Sequence, residues 1–387
     1  MRILSVHNSY QIRGGEDESR KTEENLLRSR GHTVDTYEVS NDLIADIPPA
    51  NLAARTLWSQ ETYRAVGQLL AAASYDIVHV QNFFPLISPS VFYAAKSANV
   101  PVIQTLRNYR LICPNALFFR DGQVCEDCVG KPIPYPGIVH SCYRESKAAS
   151  AVTAAMIVAH RMVNTWKSKI DGYIALTEFA KRKFTQSGFP AEKIHVKSNF
   201  VSPDPGVAEG KGGYALYVGR LSVEKGLDTL LEAWEQLEYS IDLKIVGDGP
   251  LTDLVVAATK KSDRIEWLGR LPVEDVYNLM GNARFLVFPS KWYETFGRVA
   301  VEAFAKGTPV IASEIGAIAE IVNSGETGLL FEAGNASDLA EKVMTLMGDT
   351  YSSLQMRQRS RDEYLSKYTA DINYIRLIEI YEQYLVR

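Results

Sequence analysis

A chain of 387 residues is longer than one hydrophobic core usually serves, and at one domain per ~150 residues it implies two lobes. Hydrophobic residues make up 46% and charged residues 23%, which excludes disordered and fibrous classes. A net charge of −4 and a pI near 6.0 exclude bulk attraction to nucleic acid, which calls for a strongly basic face.

In chain order, MRILSV predicts a strand, with no apolar stretch of signal-peptide length. A helix over Glu16 to Arg30, strands HTVDTYEV and YDIVHV, a helix over Pro89 to Ala98 and strand PVIQTL follow. An irregular stretch from Arg107 to Tyr143 precedes a long helix, strand GYIAL and a helix that Thr177 caps. This alternation predicts an α/β fold with a doubly wound parallel sheet. The run Asn199 to Gly213 concentrates Pro and Gly and reads as a hinge, dividing a first lobe of 1–199 from a second of 200–370. The second lobe restarts the alternation with YALYVG, a helix over Leu227 to Leu237, DLKIVG, RIEWLG, a helix over Val273 to Asn282, FLVFPS, a helix over Gly297 to Ala305, and PVIAS. A last helix, 371–387, is expected to pack back on the first lobe. The Ala-rich run Ala148 to Val163 carries His160 and Arg161 and falls short of the ~20 apolar residues of a membrane span. The expected location is cytoplasmic, with peripheral contact at a membrane's inner face left open.

The strand YALYVG runs into Gly219 and then Arg220 and Lys225. A guanidinium and an ammonium at a strand's carboxyl end can clamp a diphosphate and neutralise charge that grows on it as a leaving group. A solvated basic turn is the alternative, and the second loop argues against it. There, Lys291 to Glu302 joins strand FLVFPS to a helix: Gly297 lets backbone N–H groups approach a phosphate, Glu294 stands in the loop, and Glu302 lies about one and a half turns into the helix. Each carboxylate can grip a vicinal diol, Glu302 the ribose and Glu294 the transferred sugar.

These pieces, GRLSVEKG, VGDGP from Gly247, the Glu-x7-Glu run, EAFAKGTPVIAS and GETGLLFEAGNASDLA, resemble glycosyltransferase family 4 across most of residues 214 to 340. The resemblance implies the GT-B fold, two Rossmann-like domains facing a cleft, and a retaining hexosyltransferase that uses a nucleotide sugar. Arg220 and Lys225 then bind the donor diphosphate, Glu302 the ribose, and Glu294 with Phe296 and Gly297 faces the sugar. Arg270 and Leu271 lie near the base, and the backbone at Arg298 and Val299 contacts phosphate. The first-lobe pair Gly14 and Gly15 reads equally as a plain turn or as a close approach to the donor, and the resemblance favours the donor. The implied donor is a UDP-sugar such as UDP-glucose, and the acceptor a glycan or lipid-linked glycan of cell-surface polysaccharide synthesis. Retention in the family is explained by front-face displacement, with no cofactor and no catalytic metal required.

The first lobe departs from the family at two positions, with Arg107 and Gln81 where histidines are frequent. Arg107 is too basic to act as a base, but it can stabilise a leaving phosphate or orient an acceptor. His79 reads as a core residue, as do most of Phe83, Phe84, Tyr109, Phe118 and Phe119, which alternatively line an acceptor groove. The insert 107–143 holds all four cysteines, Cys113, Cys125, Cys128 and Cys142, and fits either a structural zinc site or reduced thiols. A two-lobed sugar-nucleotide epimerase or phosphorylase, or a nucleotide-sugar binder without turnover, are the rival readings.

Overall fold

The computed structural model describes residues 1–11, 14–348 and 350–385. Its strands are β1 (Arg2–Ser9), β2 (Thr33–Ser40), β3 (Ile77–Asn82), β4 (Val102–Leu106), β5 (Phe119–Arg120), β6 (Gln123–Val124), β7 (Gly172–Ala175) and β8 (Ile194–Val196), then β9 (Tyr214–Val218), β10 (Asp242–Val246), β11 (Ile265–Gly269), β12 (Phe285–Phe288), β13 (Val310–Ser313) and β14 (Gly328–Phe331). Contacts divide the chain into two units: one holds Met1–Phe118, Glu126–Ser198 and the residues from Asn373 onward, the other Phe119–Cys125 and Asn199–Ile372. The hairpin β5–β6 therefore groups with the second unit, although it lies inside the 107–143 stretch expected in the first: its assignment follows spatial neighbours rather than chain order.

The first unit is a parallel sheet in the order β2-β1-β3-β4-β7-β8. Strands covered on both faces read as continuous apolar runs, and Ile77, Val78 and Val80 of β3 obey this. The same strand also buries His79 and Gln81. Such polar groups need partners. His79 shares one ring nitrogen with the Tyr381 hydroxyl (2.7 Å) and the other with Thr105 Oγ1 (2.7 Å). Gln81 donates to Glu23 Oε1 (2.7 Å), and Lys197 Nζ donates to Glu23 Oε2 (2.7 Å). Glu23 belongs to helix α1 (Gly15–Ser29), and the final helix Ala370–Glu382 adds Leu377, Ile380 and Tyr381 to the core around Ile3, Ile77, Ile103 and Ile174. Side-chain caps by Ser59, Ser146 and Thr177 start three other helices.

The second unit is a parallel sheet in the order β11-β10-β9-β12-β13-β14. Helix α2 (Leu227–Gln236) buries Leu227, Leu230 and Trp234 against Leu243, Ile245 and Val287. The stretch read as a hinge is largely tied down. Val201 N–H bonds Tyr368 O, Gly210 N–H bonds Gly281 O, and the buried Arg357 guanidinium donates to the carbonyls of Ala208, Gly281 and Ala283. Composition alone marks Pro and Gly as loop-forming, and distant carbonyls decide whether a loop is free. Most helix boundaries differ from the pattern by a residue or so, Glu16 to Arg30 becoming Gly15–Ser29, but the last expected helix, 371–387, ends at Glu382, and helices at Pro49–Leu57, Gln60–Ala72 and Thr350–Lys367 are additional. Residues 386 and 387 of the last expected helix lie outside the described residues.

Burial pushes the His79 imidazole down to about 4; Glu23 opposes this, and Arg107 and Lys197 reinforce it. The unfolded ring titrates near ~6.5, so as pH falls through that value toward 4 the unfolded state takes up a proton that the folded state refuses. Stability present above the unfolded pKa is lost across that window. In His79→Gln the decline of unfolding free energy between pH 6.5 and 4.5 should be shallower by up to about 1.4 kcal/mol per pH unit. Urea melts at several pH values measure it, and equal slopes would mean that the folded ring accepts the proton.

Candidate functional site

A parallel sheet opens where its strand order reverses, and ligands bind outside the carboxyl ends of the strands there. In the second unit the reversal lies between β9 and β12, since β10 and β11 extend one way and β13 and β14 the other. The loop after β9 carries Arg220 and Lys225, and the loop after β12 carries Ser290, Trp292 and Glu294. Lys225 Nζ meets Glu294 Oε1 at 2.5 Å, and the same oxygen accepts from Ser290 Oγ (3.0 Å) and Trp292 Nε1 (2.9 Å). The ammonium also lies 5.3 Å from the Trp292 ring centroid and 5.9 Å from that of Phe288. The two loops are stitched by Lys291 N–H to Glu224 O (2.9 Å). Arg220 is exposed.

Glycines let neighbouring loops touch. Leu221 N–H bonds Asp248 O, and Gly247 N–H bonds Gly269 O at 2.7 Å, so the ends of β9, β10 and β11 form one ledge. A Cβ on Gly247 (φ +134°) would fall 1.9 Å from Gly219 O, and one on Gly226 (φ +70°) 1.8 Å from Pro289 O. No other residue fits at either position.

Helix α3 (Arg298–Ala305) begins after Gly297, and its Glu302 is buried with Oε1 accepting from Arg298 Nε at 2.8 Å. Burial raises the Glu302 pKa, and Arg298 opposes the shift. The two glutamates thus belong to separate charge pairs. Arg298 and Val299 stand half-buried at the helix start. Phe296, expected to face the sugar, is instead buried against Tyr368, centroids 6.0 Å apart. The aromatic side chain is part of the core, which leaves any ligand contact at 296 to the backbone. Arg270 is exposed, and Leu271 lines a shallow groove with Leu268, Tyr214 and Lys244.

In the first unit Gly14 and Gly15 are exposed just before and at the start of α1, and Asp17 accepts from Gly14 N–H (3.0 Å) while pairing with the buried His7 (2.8 Å). Arg107 is buried, and both Nε (2.9 Å) and Nη2 (2.6 Å) donate to Gln81 Oε1. The two positions read as departures from the family, 81 and 107, are thus hydrogen-bonded to each other. Phe83, Phe84, Tyr109 and Phe118 are core residues, with Phe83 on Phe92 (5.3 Å) and Tyr109 on Phe118 (4.7 Å); Phe119 is half-buried. Cys113 and Cys128 are buried, Cys125 and Cys142 half-buried, and among the described residues no three His, Cys, Asp or Glu side chains gather as a metal site. Sequence reasoning passed over Ser290 and Trp292, which fix Glu294, and Glu16, which follows the glycine pair directly.

Two family models match successive stretches of the chain: a glycosyl transferase 4-like domain over residues 26–199 and glycosyl transferases group 1 over residues 202–363. The chain belongs to the family 4 type of glycosyltransferases. An uncharacterized glycosyltransferase of Methanocaldococcus jannaschii is 38% identical over 143 residues, 36% of this chain and 40% of that relative. The match thus spans under half of that relative's length. A phosphatidyl-myo-inositol mannosyltransferase of Mycobacterium leprae is 25% identical over 360 residues, 88% of this chain and 85% of the relative. The crystal structure of Anabaena HepE in complex with UDP superposes with a TM-score of 0.70 at 18% identity, covering 99% of this chain and 100% of that one. The fold is GT-B, two parallel-sheet α/β domains.

Gly247→Ala should destabilise the fold by about 2 kcal/mol, because it forces a side chain into a strained backbone region against a carbonyl. Gly14→Ala should be neutral, since φ is −132° and no atom lies within 4 Å of the added carbon. Thermal melts should separate them by about 4–8 °C, and equal melting temperatures would contradict the ledge geometry.

Proposed function

We propose that this protein is a retaining hexosyltransferase that moves a sugar from a UDP-sugar, such as UDP-glucose, to a glycan or lipid-linked glycan acceptor in cell-surface polysaccharide synthesis. One observation carries the reading: Lys225 and Glu294, from the loops on either side of the β9/β12 reversal, converge on one ion pair. In that pair each charge is held ready for a ligand that can take its place. A diphosphate draws Lys225 and Arg220, which neutralise the charge growing on the leaving group. Glu294, released from the lysine but still fixed by Ser290 and Trp292, accepts hydrogen bonds from the sugar's hydroxyls. Glu302 grips the ribose, and the backbone at Gly219, Gly247, Gly297, Arg298 and Val299 meets the phosphates, with Arg270 and Leu271 toward the base. The HepE likeness, a structure solved with UDP, supports UDP as the nucleotide.

No zinc or other cofactor is part of this chemistry; the cysteines serve the insert's own structure, as a zinc site or as thiols. Among the described residues no helix is long and apolar enough to cross a membrane. Peripheral membrane contact has a surface to support it: Arg161 binds the carbonyls of Lys131 and Pro132, bringing the exposed Ile133 to the helix end that exposes Met162 and Val163.

Lys225→Ala and Glu294→Ala should each lower kcat/KM for UDP release in the presence of acceptor by about 100- to 1,000-fold. Lys225→Ala should also weaken UDP binding, whereas Glu294→Ala should leave it near wild type, and both should keep native circular dichroism. Near wild-type turnover in either variant would sink the assignment.

A further inference from the structure

The first sheet also has a reversal, between β1 and β3, because β2 extends one way and β4, β7 and β8 the other. The groups at its carboxyl edge are more polar than the fold requires. A recess there is lined by Asn82, Phe84, Arg107, Asn108 and Arg110. Arg107 is held by Gln81, as described, and Arg110 lies between the rings of Phe84 and Tyr143, 4.5 and 4.6 Å from their centroids. Asn108 Nδ2 donates to the Tyr10 hydroxyl at 3.4 Å, and that hydroxyl donates to Glu16 Oε2 at 3.4 Å. The other oxygen, Glu16 Oε1, is buried and has no hydrogen-bond partner among the described residues.

A buried carboxylate oxygen without a donor costs free energy, and such orphans in folded proteins call for a specific explanation. Helix formation does not explain this one, since Asp17 already accepts from the Gly14 N–H ahead of the helix. A carboxylate with a vacant oxygen, beside an asparagine, a tyrosine hydroxyl and a fixed guanidinium, matches a polyhydroxylated ligand. The carboxylate accepts from one hydroxyl, and the cation donates to the oxygens around it.

We propose that Glu16 binds the acceptor, its orphan oxygen taking the hydrogen bond of an acceptor hydroxyl, with Arg107 and Asn108 contacting oxygens of the same acceptor. The assignment rests on the transferase reading above. In the transfer the bond from the anomeric carbon to phosphate breaks, a bond to the acceptor oxygen forms, and the hydroxyl proton leaves with the phosphate. Glu16 orients the acceptor and ends the cycle in its starting state. Burial and, to a smaller degree, Asp17 push the Glu16 carboxyl up to about 7, while Arg107, Asn108 and Tyr10 pull it back. Protonation occupies the carboxylate, so acceptor binding weakens as pH falls through that value.

The test uses the full chain, UDP-glucose and a panel of octyl hexosides as hydroxyl probes, with UDP binding followed by thermal shift in parallel. Glu16→Gln should keep UDP affinity, raise the acceptor KM about 10- to 100-fold above pH 7, and lose the acid-side decline with its midpoint near 7. Glu16→Asp should recover part of the KM, and it carries the same comparison if the glutamine variant melts early. A wild-type acceptor KM and pH profile in Glu16→Gln would overturn the proposal. So would a wild type that binds UDP but transfers to none of the hexosides. A wild type that binds no UDP would instead overturn the donor reading.

Discussion

A parallel sheet whose crossovers share one hand can grow in only one direction from its first strand. To build the other half, the chain must return to that strand and set out again. Both units of this protein do so, at β1 and at β9, and at each return two loops leave the same sheet edge in opposite directions. The separation of those loops is a consequence of connectivity, and no side chain is needed to create it. What the side chains decide is what fills the opening. In the second unit it receives a lysine and a glutamate, and in the first a tyrosine, a glutamate and an arginine.

The ledge beside the second opening shows how closely the backbone must approach for this to work. Gly226 and Gly247 stand where a single methyl group would overlap a neighbouring carbonyl, so the glycines of GRLSVEKG and VGDGP serve loop against loop first. A loop held this way presents its ends without the entropy loss that ordering on binding would add. Glu294 is treated alike. A serine, an indole and an ammonium converge on one of its oxygens, and removal of the ammonium by a ligand leaves two donors to keep the carboxylate in place.

The first unit solves a different problem, the burial of charge. Glu23 lies in the interior, and its carboxylate is held down to about 2: Lys197, His79 and Arg107 outweigh the desolvation that alone would raise it. Gln81 joins this cluster to Arg107 by donating to Glu23 with its amide nitrogen and accepting from the guanidinium with its oxygen. The glutamine oxygen thus supplies an acceptor for the arginine buried near this edge. A pair of substitutions that looked like two departures in the sequence is one hydrogen-bonded arrangement.

The order of apolar runs and helical stretches determined the α/β class and the strands of the two sheets other than the edge strands β8 and β14, because burial of a parallel strand on both faces writes itself directly into local composition. The sequence also singled out Arg220, Lys225, Glu294 and Glu302 as candidates, since the resemblance is carried by short contiguous motifs. Contacts between residues far apart in the chain were not legible. The Pro- and Gly-rich stretch from Asn199 is tied down by Gly281, Asn282 and Arg357; Phe296 is claimed by Tyr368; and the pairing of Glu302 with Arg298 sets it apart from Glu294. Glu16 was invisible for the same reason. A carboxylate after two glycines is an ordinary surface residue until the ends of β1 and β4 bring Tyr10, Arg107 and Asn108 around it, and that proximity exists only in the folded sheet.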